Sequence, residues 1–273
     1  GGRIPEQMRA GSVNISAMSP TGETPAPRGA QRAALEPFEA WDFEALRPPR
    51  SRSSEYNEKR LAARRRLEAI AKAVTKASKD AAKLEVRTSI HNPFPPVNGG
   101  SVERLWAYLS RPKAHKTKLK RQLGADLGKD LDQAYRNGYL CVALEADVLE
   151  VSFRIHPDAW FDGRNLTRRI EAEGLKPLLS LLNELEGFRL QLSDWKGEWI
   201  CGQLEIEQLE EFFRFYEPGE HLLAVQQRMP VPESMRDTIL TPDLPSHLVG
   251  ELARLTALRH FVCWAPENDL LFG

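Results

Sequence analysis

Apolar residues recur along this chain with two spacings, and each spacing selects an element. From Tyr56 to Leu84 they fall at Ala63, Leu67, Ile70, Val74, Ala77, Ala81 and Leu84, alternating steps of four and three that draw one stripe along a helix. The opposite face carries Arg64, Arg65, Arg66, Lys72, Lys76, Lys79 and Lys83, so residues 55–84 are expected as a basic amphipathic helix. Three alanines make its seam thin, and such a helix needs a neighbour, either another copy or its own domain. Leu84 to Ile90 then alternates as a strand, with Glu85, Arg87, Ser89 and His91 on its polar face. Asn92 to Gly100 has the Pro, Asn and Gly content of a loop. Ser101 reads as an N-cap for a helix over 102–110 that packs Leu105, Trp106 and Leu109 inward and stops at Pro112.

Beyond Gly138 the alternation is clearer. Tyr139 to Leu144 and Leu149 to His156 form a hairpin across Glu145-Ala-Asp-Val148. Helical spacing over 162–185, interrupted by Pro177, predicts one or two helices. Phe188 to Asp194 and Glu198 to Leu204 predict a second hairpin across Trp195-Lys-Gly197. Glu205 to Tyr216 is an amphipathic helix, His221 to Met229 a strand, Ser246 to Leu258 a helix and Arg259 to Trp264 a last strand. Hairpins mixed with helices, without a βαβ succession, predict an α+β fold with a mixed or antiparallel sheet and packed helices, residues 85–273 forming a single domain.

The first 54 residues break both periods. Pro5, Pro20, Pro25, Pro27, Pro37, Pro48 and Pro49 stand among Gly, Ser and Arg, a composition expected to stay disordered. Met8 or Met18 would serve as a natural start. Within this tail, residues 35–46 interleave acids with large hydrophobes. Phe38, Trp41 and Phe43 are therefore candidates for docking on a protein partner, the alternative being that they fold back onto their own core.

Composition narrows the function classes. The 273 residues carry 38 Lys and Arg against 38 Asp and Glu, which excludes a histone-like or acidic-tail protein. The balance is uneven along the chain: residues 1–136 hold 26 basic against 15 acidic residues, leaving 12 against 23 for the rest. Such a split points to an acidic partner for the front half or to the two halves facing each other. No run of roughly 18 apolar residues exists, so no membrane partner is expected. Cys141, Cys201 and Cys263 lack metal-ligand spacing and read as small buried hydrophobes in a reducing cytoplasm. The high Arg, Ala and Leu content fits high-GC bacterial coding. Dinucleotide, P-loop, zincin, nucleophile-elbow and kinase motifs are all missing from the sequence, and no cofactor is expected.

Two constellations carry candidate chemistry. The strand ending at His156 presents Glu150, Ser152 and Arg154 on one face, and the earlier strand presents Arg87 and His91. Were these strands neighbours, Arg87 and Arg154 would clamp a phosphate or carboxylate while His91 and His156 served as acid and base, with Asp158 close by. The strand over 221–229 would add Gln226 and Arg228. Glu150, Asp158 and Asp162 together would suit Mg²⁺, although Asp162 reads better as a helix N-cap, and no metal site is expected. The second constellation is basic: Arg64, Arg65, Arg66, Lys113, Lys116, Lys118, Lys120 and Arg121 have the clustered charge that phosphate-backbone contact requires. The favoured reading is a non-catalytic binding or adaptor protein. Its basic arm would recruit an acidic partner, nucleic acid among the candidates, and its α+β domain would bind a partner or an anionic ligand. The alternatives are a phosphoester-processing enzyme, a nuclease or phosphoesterase built on the His/Arg/Asp face, and an oligomer built on the 55–84 helix.

Overall fold

The computed structural model describes residues 35–89 and 100–273. Seven strands make one antiparallel sheet: β1 (Glu85–Thr88), β2 (Arg104–Ser110), β3 (Gly138–Glu145), β4 (Val148–Ile155), β5 (Arg189–Leu192), β6 (Trp199–Ile200) and β7 (Leu223–Pro230). Their order is β1-β2-β3-β4-β7-β5-β6. The helices are α1 (Ala40–Glu44), α2 (Asn57–Ala77), α3 (Lys113–Leu127), α4 (Trp160–Glu173), α5 (Lys176–Asn183), α6 (Ile206–Phe215), α7 (Arg236–Ile239), α8 (Leu244–Arg254) and α9 (Thr256–Val262). The α+β class is as expected, with the sheet wholly antiparallel. No described helix is long and apolar enough to cross a membrane.

Register decides which side chains share a face, because successive residues of a strand point to opposite sides. Leu105, Leu109, Leu140, Val142, Leu149, Val151, Phe153 and Val225 lie on one face and are buried. Against that face pack α2, α4, α8 and α9, which contribute Leu67, Ile70, Val74, Leu248, Leu252 and Leu258. The other face is polar, and it carries the site described below.

Two expectations of element type are corrected here. Residues 104–110 form a strand, not a helix: Leu105, Ala107 and Leu109 alternate into the core while β1 and β3 supply backbone partners on both sides. The i to i+4 spacing of Leu105 and Leu109 mimicked a helix because both are even steps in a strand. The expected last strand falls on the helix α9, where Leu258 and Val262 are buried together with Leu255 at its N-cap. The basic stretch after Pro112, to which the sequence pattern assigned no element, is the helix α3.

Residues 35–54, expected as part of a disordered tail, are folded. Phe38, Phe43 and Leu46 are buried in the main core, so the aromatic segment docks on its own domain and only Trp41 stays exposed. Arg60, fully buried on α2, fastens the segment by donating to the carbonyls of Ala45 (2.9 Å), Arg50 (3.0 Å) and Ser53. Arg66 does the same through Asp42 and Glu39, both at 2.7 Å. The helix α2 is therefore not a free arm. Its seam of Ala63, Leu67, Ile70 and Val74 is filled by β1, β2, β3 and α8 of the same chain, which removes the surface that an oligomer built on this helix needs.

The uneven charge of the sequence becomes an uneven charge in space. The basic α3 is tied to β1 at one sheet edge by Lys116 on Glu85 (2.6 Å), whereas α6, with Glu207, Glu210 and Glu211 exposed, follows β6 at the other edge. Six strand spacings of ~4.8 Å set these edges roughly 29 Å apart.

Candidate functional site

The polar sheet face is organised around one carboxylate. Glu150 on β4 is 1% exposed and faces Arg228 of β7 across the strand pair. Arg104 of β2 donates from both terminal nitrogens to Glu150, at 2.9 and 3.0 Å. Arg154 donates to it at 2.7 Å, Arg228 at 2.7 Å and the Ser152 hydroxyl at 2.8 Å. Arg104 and Arg228 also share Glu145 at the end of β3. Burial alone would raise the Glu150 carboxyl. The hydrogen bonds and charge of Arg104, then the charge of Arg154 and the Ser152 hydroxyl, outweigh it and bring it from 4.5 to about 2. Glu145 is lowered for the same reason, burial being overcome by Arg228 and Arg104.

From this hub a chain of side-chain hydrogen bonds crosses the sheet. Arg154 donates to Gln226 Oε1 at 2.8 Å, Gln226 donates to Gln191, and Gln191 donates to Glu198 at 2.7 Å. Glu198 is also paired with Arg189. Between Arg189, Gln191, Glu198, Gln226 and Arg228 lies an open groove of about 420 Å³. Arg228 is 39% exposed and Arg189 54%, so two guanidinium groups stand at its walls. Four arginines face three carboxylates across this surface, an excess of one positive charge.

The groups on this face are poor acid–base or nucleophilic catalysts near neutral pH. Glu150 and Glu145 are held ionised by arginine. Burial pushes the Cys141 thiol up to about 11 and raises the Tyr139 phenol as well. What the surface offers is a fixed array of donors: guanidinium forks and two amides positioned by rigid strands.

The structure brings some of the sequence candidates together and scatters the rest. Glu150, Arg154 and Arg228 meet, with Gln226 beside them. Arg87 does not join, because β2 and β3 separate β1 from β4; it pairs with Asp132 at 3.0 Å instead. His156 lies past the end of β4, where its Nδ1 accepts from the Asp158 backbone N–H at 3.1 Å and caps the turn into α4. Asp158 is exposed at that turn. His91 lies outside the described residues. Asp162 is neither cap nor metal ligand: it is fully buried as the third residue of α4. There it accepts from Arg111 Nη2 at 2.7 and 2.6 Å, Gly138 N at 2.6 Å and Trp264 N at 2.9 Å. Among the described residues no three His, Cys, Asp or Glu are arranged to hold a metal ion.

The basic candidates also divide. Arg66 is engaged by Glu39 and Asp42, and Lys116 is buried between Glu85 and Asp132. Lys113, Lys118, Lys120 and Arg121 are exposed along α3, Arg65 is exposed on α2 and Arg64 is half-buried there. Sequence reasoning missed Arg104, which holds the Glu150 hub together, and Arg189, Gln191 and Glu198 of the groove. The alternation Arg104-Leu-Trp106-Ala-Tyr108 was the available signal, hidden by the helical reading of that segment. No family model matches the chain, and no curated protein matches it either.

Proposed function

We propose that this protein is a non-catalytic binding module whose open sheet face takes a polar ligand bearing a carboxylate or phosphate. The observation that carries the reading is the set of Arg104, Arg154 and Arg228 fixed on one ionised glutamate beside a groove that Arg189, Gln191 and Gln226 line. Preformed guanidinium forks bind planar and tetrahedral oxyanions without ordering cost, and the two amides supply further hydrogen bonds. The exposed lysines of α3 add a second contact, toward an acidic partner, with nucleic acid the first to test. The separation of His156, Asp158 and Arg87 weighs against the phosphoester-processing alternative.

The test is calorimetric binding of a panel of nucleotides, sugar phosphates and dicarboxylates, compared with Arg228→Ala. Glu150 keeps Arg104 and Arg154 when Arg228 is truncated, so the variant should fold with a moderately lowered melting temperature, and binding is compared well below that melt. Loss of one charged hydrogen-bonding group should weaken ligand roughly tenfold or more. A panel with no binder, or a binder indifferent to Arg228→Ala, would refute the groove as a ligand site. A magnesium-containing lane with labelled DNA and RNA reports cleavage, and turnover that survives in Arg228→Ala would favour an enzyme.

A further inference from the structure

A strand inside a sheet has two hydrogen-bonding edges, and those of β7 are not equally used. Along an antiparallel ladder, successive residues turn their main-chain groups to alternate neighbours. The Val231 N–H donates to the Asp147 carbonyl at 2.7 Å, and the Ser193 N–H to the Leu222 carbonyl at 2.9 Å. With the registers of β4 and β5 against β7, these bonds fix the alternation. Leu223, Val225, Gln227 and Met229 address β4, whereas Ala224, Gln226, Arg228 and Pro230 address the β5 side. The β5 ladder ends at Arg189, opposite Gln226. Gly187 would come next, opposite Arg228, but its φ of +92° takes the chain out of the strand. The N–H and carbonyl of Arg228 and the carbonyl of Pro230 thus have no backbone partner among the described residues, and both residues are exposed.

This open edge lies in the groove described above, which Gly187, Gln227 and Met229 line together with Arg189 and Arg228. A second chain laid along it continues the line of β5. Phe188 already belongs to the sheet, since its carbonyl accepts from Cys201 N at 3.0 Å. A chain running as β5 does, antiparallel to β7, must therefore end at that junction, and one running the other way must begin there. Charge decides between them. Arg189 and Arg228 flank the junction on a face with one excess positive charge, so a terminal carboxylate is favoured and a terminal ammonium is not. A side chain opposite Arg228 stands beside its guanidinium and is best acidic. The residue before it, opposite Met229, points to the core face, where Met229 packs on buried apolar groups, and is best apolar. Glu198, paired with Arg189, and Glu145 and Glu150, paired with Arg228, are the opposing charges.

We infer that the groove binds the C-terminal end of an extended peptide, which adds a short strand to β7 and finishes in an acidic residue opposite Arg228. The N–H of that last residue donates to the Arg228 carbonyl, and the Arg228 N–H donates to its terminal carboxylate. The N–H two residues earlier donates to the Pro230 carbonyl. The acidic side chain meets the Arg228 guanidinium, and Arg189 balances the terminal carboxylate. Main-chain pairing then supplies affinity for any extended chain, while the arginines select its end. This inference rests on the groove reading above and adds that the ligand is a peptide end rather than a free small anion.

The experiment uses the full chain and the peptide Thr-Val-Thr-Val-Glu, labelled with fluorescein at its N-terminus and free at its C-terminus, followed by fluorescence anisotropy in low-salt buffer near pH 7. Amidating the C-terminus and N-methylating the glutamate nitrogen should each weaken binding about tenfold or more. N-methylating the valine before it, whose N–H points away from β7, should leave affinity unchanged. Arg189→Ala, which alters only an exposed pair, should weaken the free acid and leave the amide unaffected. Glutarate, which has two carboxylates and no backbone, should compete only at far higher concentration. Indifference to methylation of the glutamate nitrogen overturns strand addition. So does a groove that takes glutarate as tightly as the pentapeptide, or takes glutarate alone, and either result leaves the groove standing as an anion site. Failure of both pentapeptide and glutarate to bind overturns the inference together with the groove reading.

Discussion

Replacing Glu150 by glutamine removes one charge from the sheet face and almost nothing else. The carboxyl falls from 4.5 to about 2 on folding. At about 1.4 kcal/mol per unit, that shift represents roughly 3 kcal/mol of stabilisation of the ionised form. Because the folded value lies below the unfolded one, this stability is complete above pH 4.5 and is lost as the pH falls toward 2. Glu150→Gln should therefore lower stability at pH 7 by about 3 kcal/mol, in keeping with the general cost of breaking a buried pair. In a folded unit of this size, that corresponds to a melting temperature lower by roughly 6–12 °C. The variant should also decline less than the wild type between pH 5 and pH 3, the remaining slope coming from the other lowered carboxyls, Glu145, Glu44 and Asp132. Urea denaturation at pH 7, 5 and 3 measures both. If the variant loses under about 1 kcal/mol at pH 7, or declines in acid in parallel with the wild type, Glu150 is not the ionised hub described above.

Asp42 should behave in the opposite sense. Its burial outweighs the Glu39 N–H and Arg66 and raises it from 3.8 to about 6, so its contribution is present below pH 3.8 and lost as the pH rises through 6. Asp42→Asn should flatten stability between pH 4 and 6, read by denaturant midpoints at those two values. Phe43→Ala empties a fully buried ring site under the Arg236 guanidinium and should destabilise the whole unit by about 3–5 kcal/mol in the same assay. If duplex DNA binds through α3, Lys120→Ala and Arg121→Ala should each reduce the slope of log affinity against log salt by about one. An unchanged slope in a fluorescence salt series would exclude that face.

The β3–β4 hairpin was readable because its alternation is strict and a two-residue turn, Ala146-Asp147, joins matched strands. The polar set on β4 was readable for the same reason. What strand periodicity does not carry is strand order. Glu150 meets Arg104 from 46 residues away and Arg228 from 78, and only the placement of β7 beside β4 makes them neighbours. The Arg87 proposal failed at that step, since two intervening strands are invisible to local pattern. Residues 35–54 misled for a different reason. Their composition lacks an apolar surplus of its own, but Phe38, Phe43 and Leu46 complete a core whose other wall is α2 and the sheet. Arg60 and Arg66 then tie the segment's backbone and acids down.

Because cations gather near β1 and anions near β6, a chain with no net charge still has two electrical ends. Such a molecule has little long-range repulsion to keep copies apart, and opposite ends attract one another at short range. The same protein should therefore be retained weakly on both cation- and anion-exchange resins near neutral pH, presenting a different edge to each. Salt on the order of 0.1 M, where the screening length is about 10 Å, should release it from both.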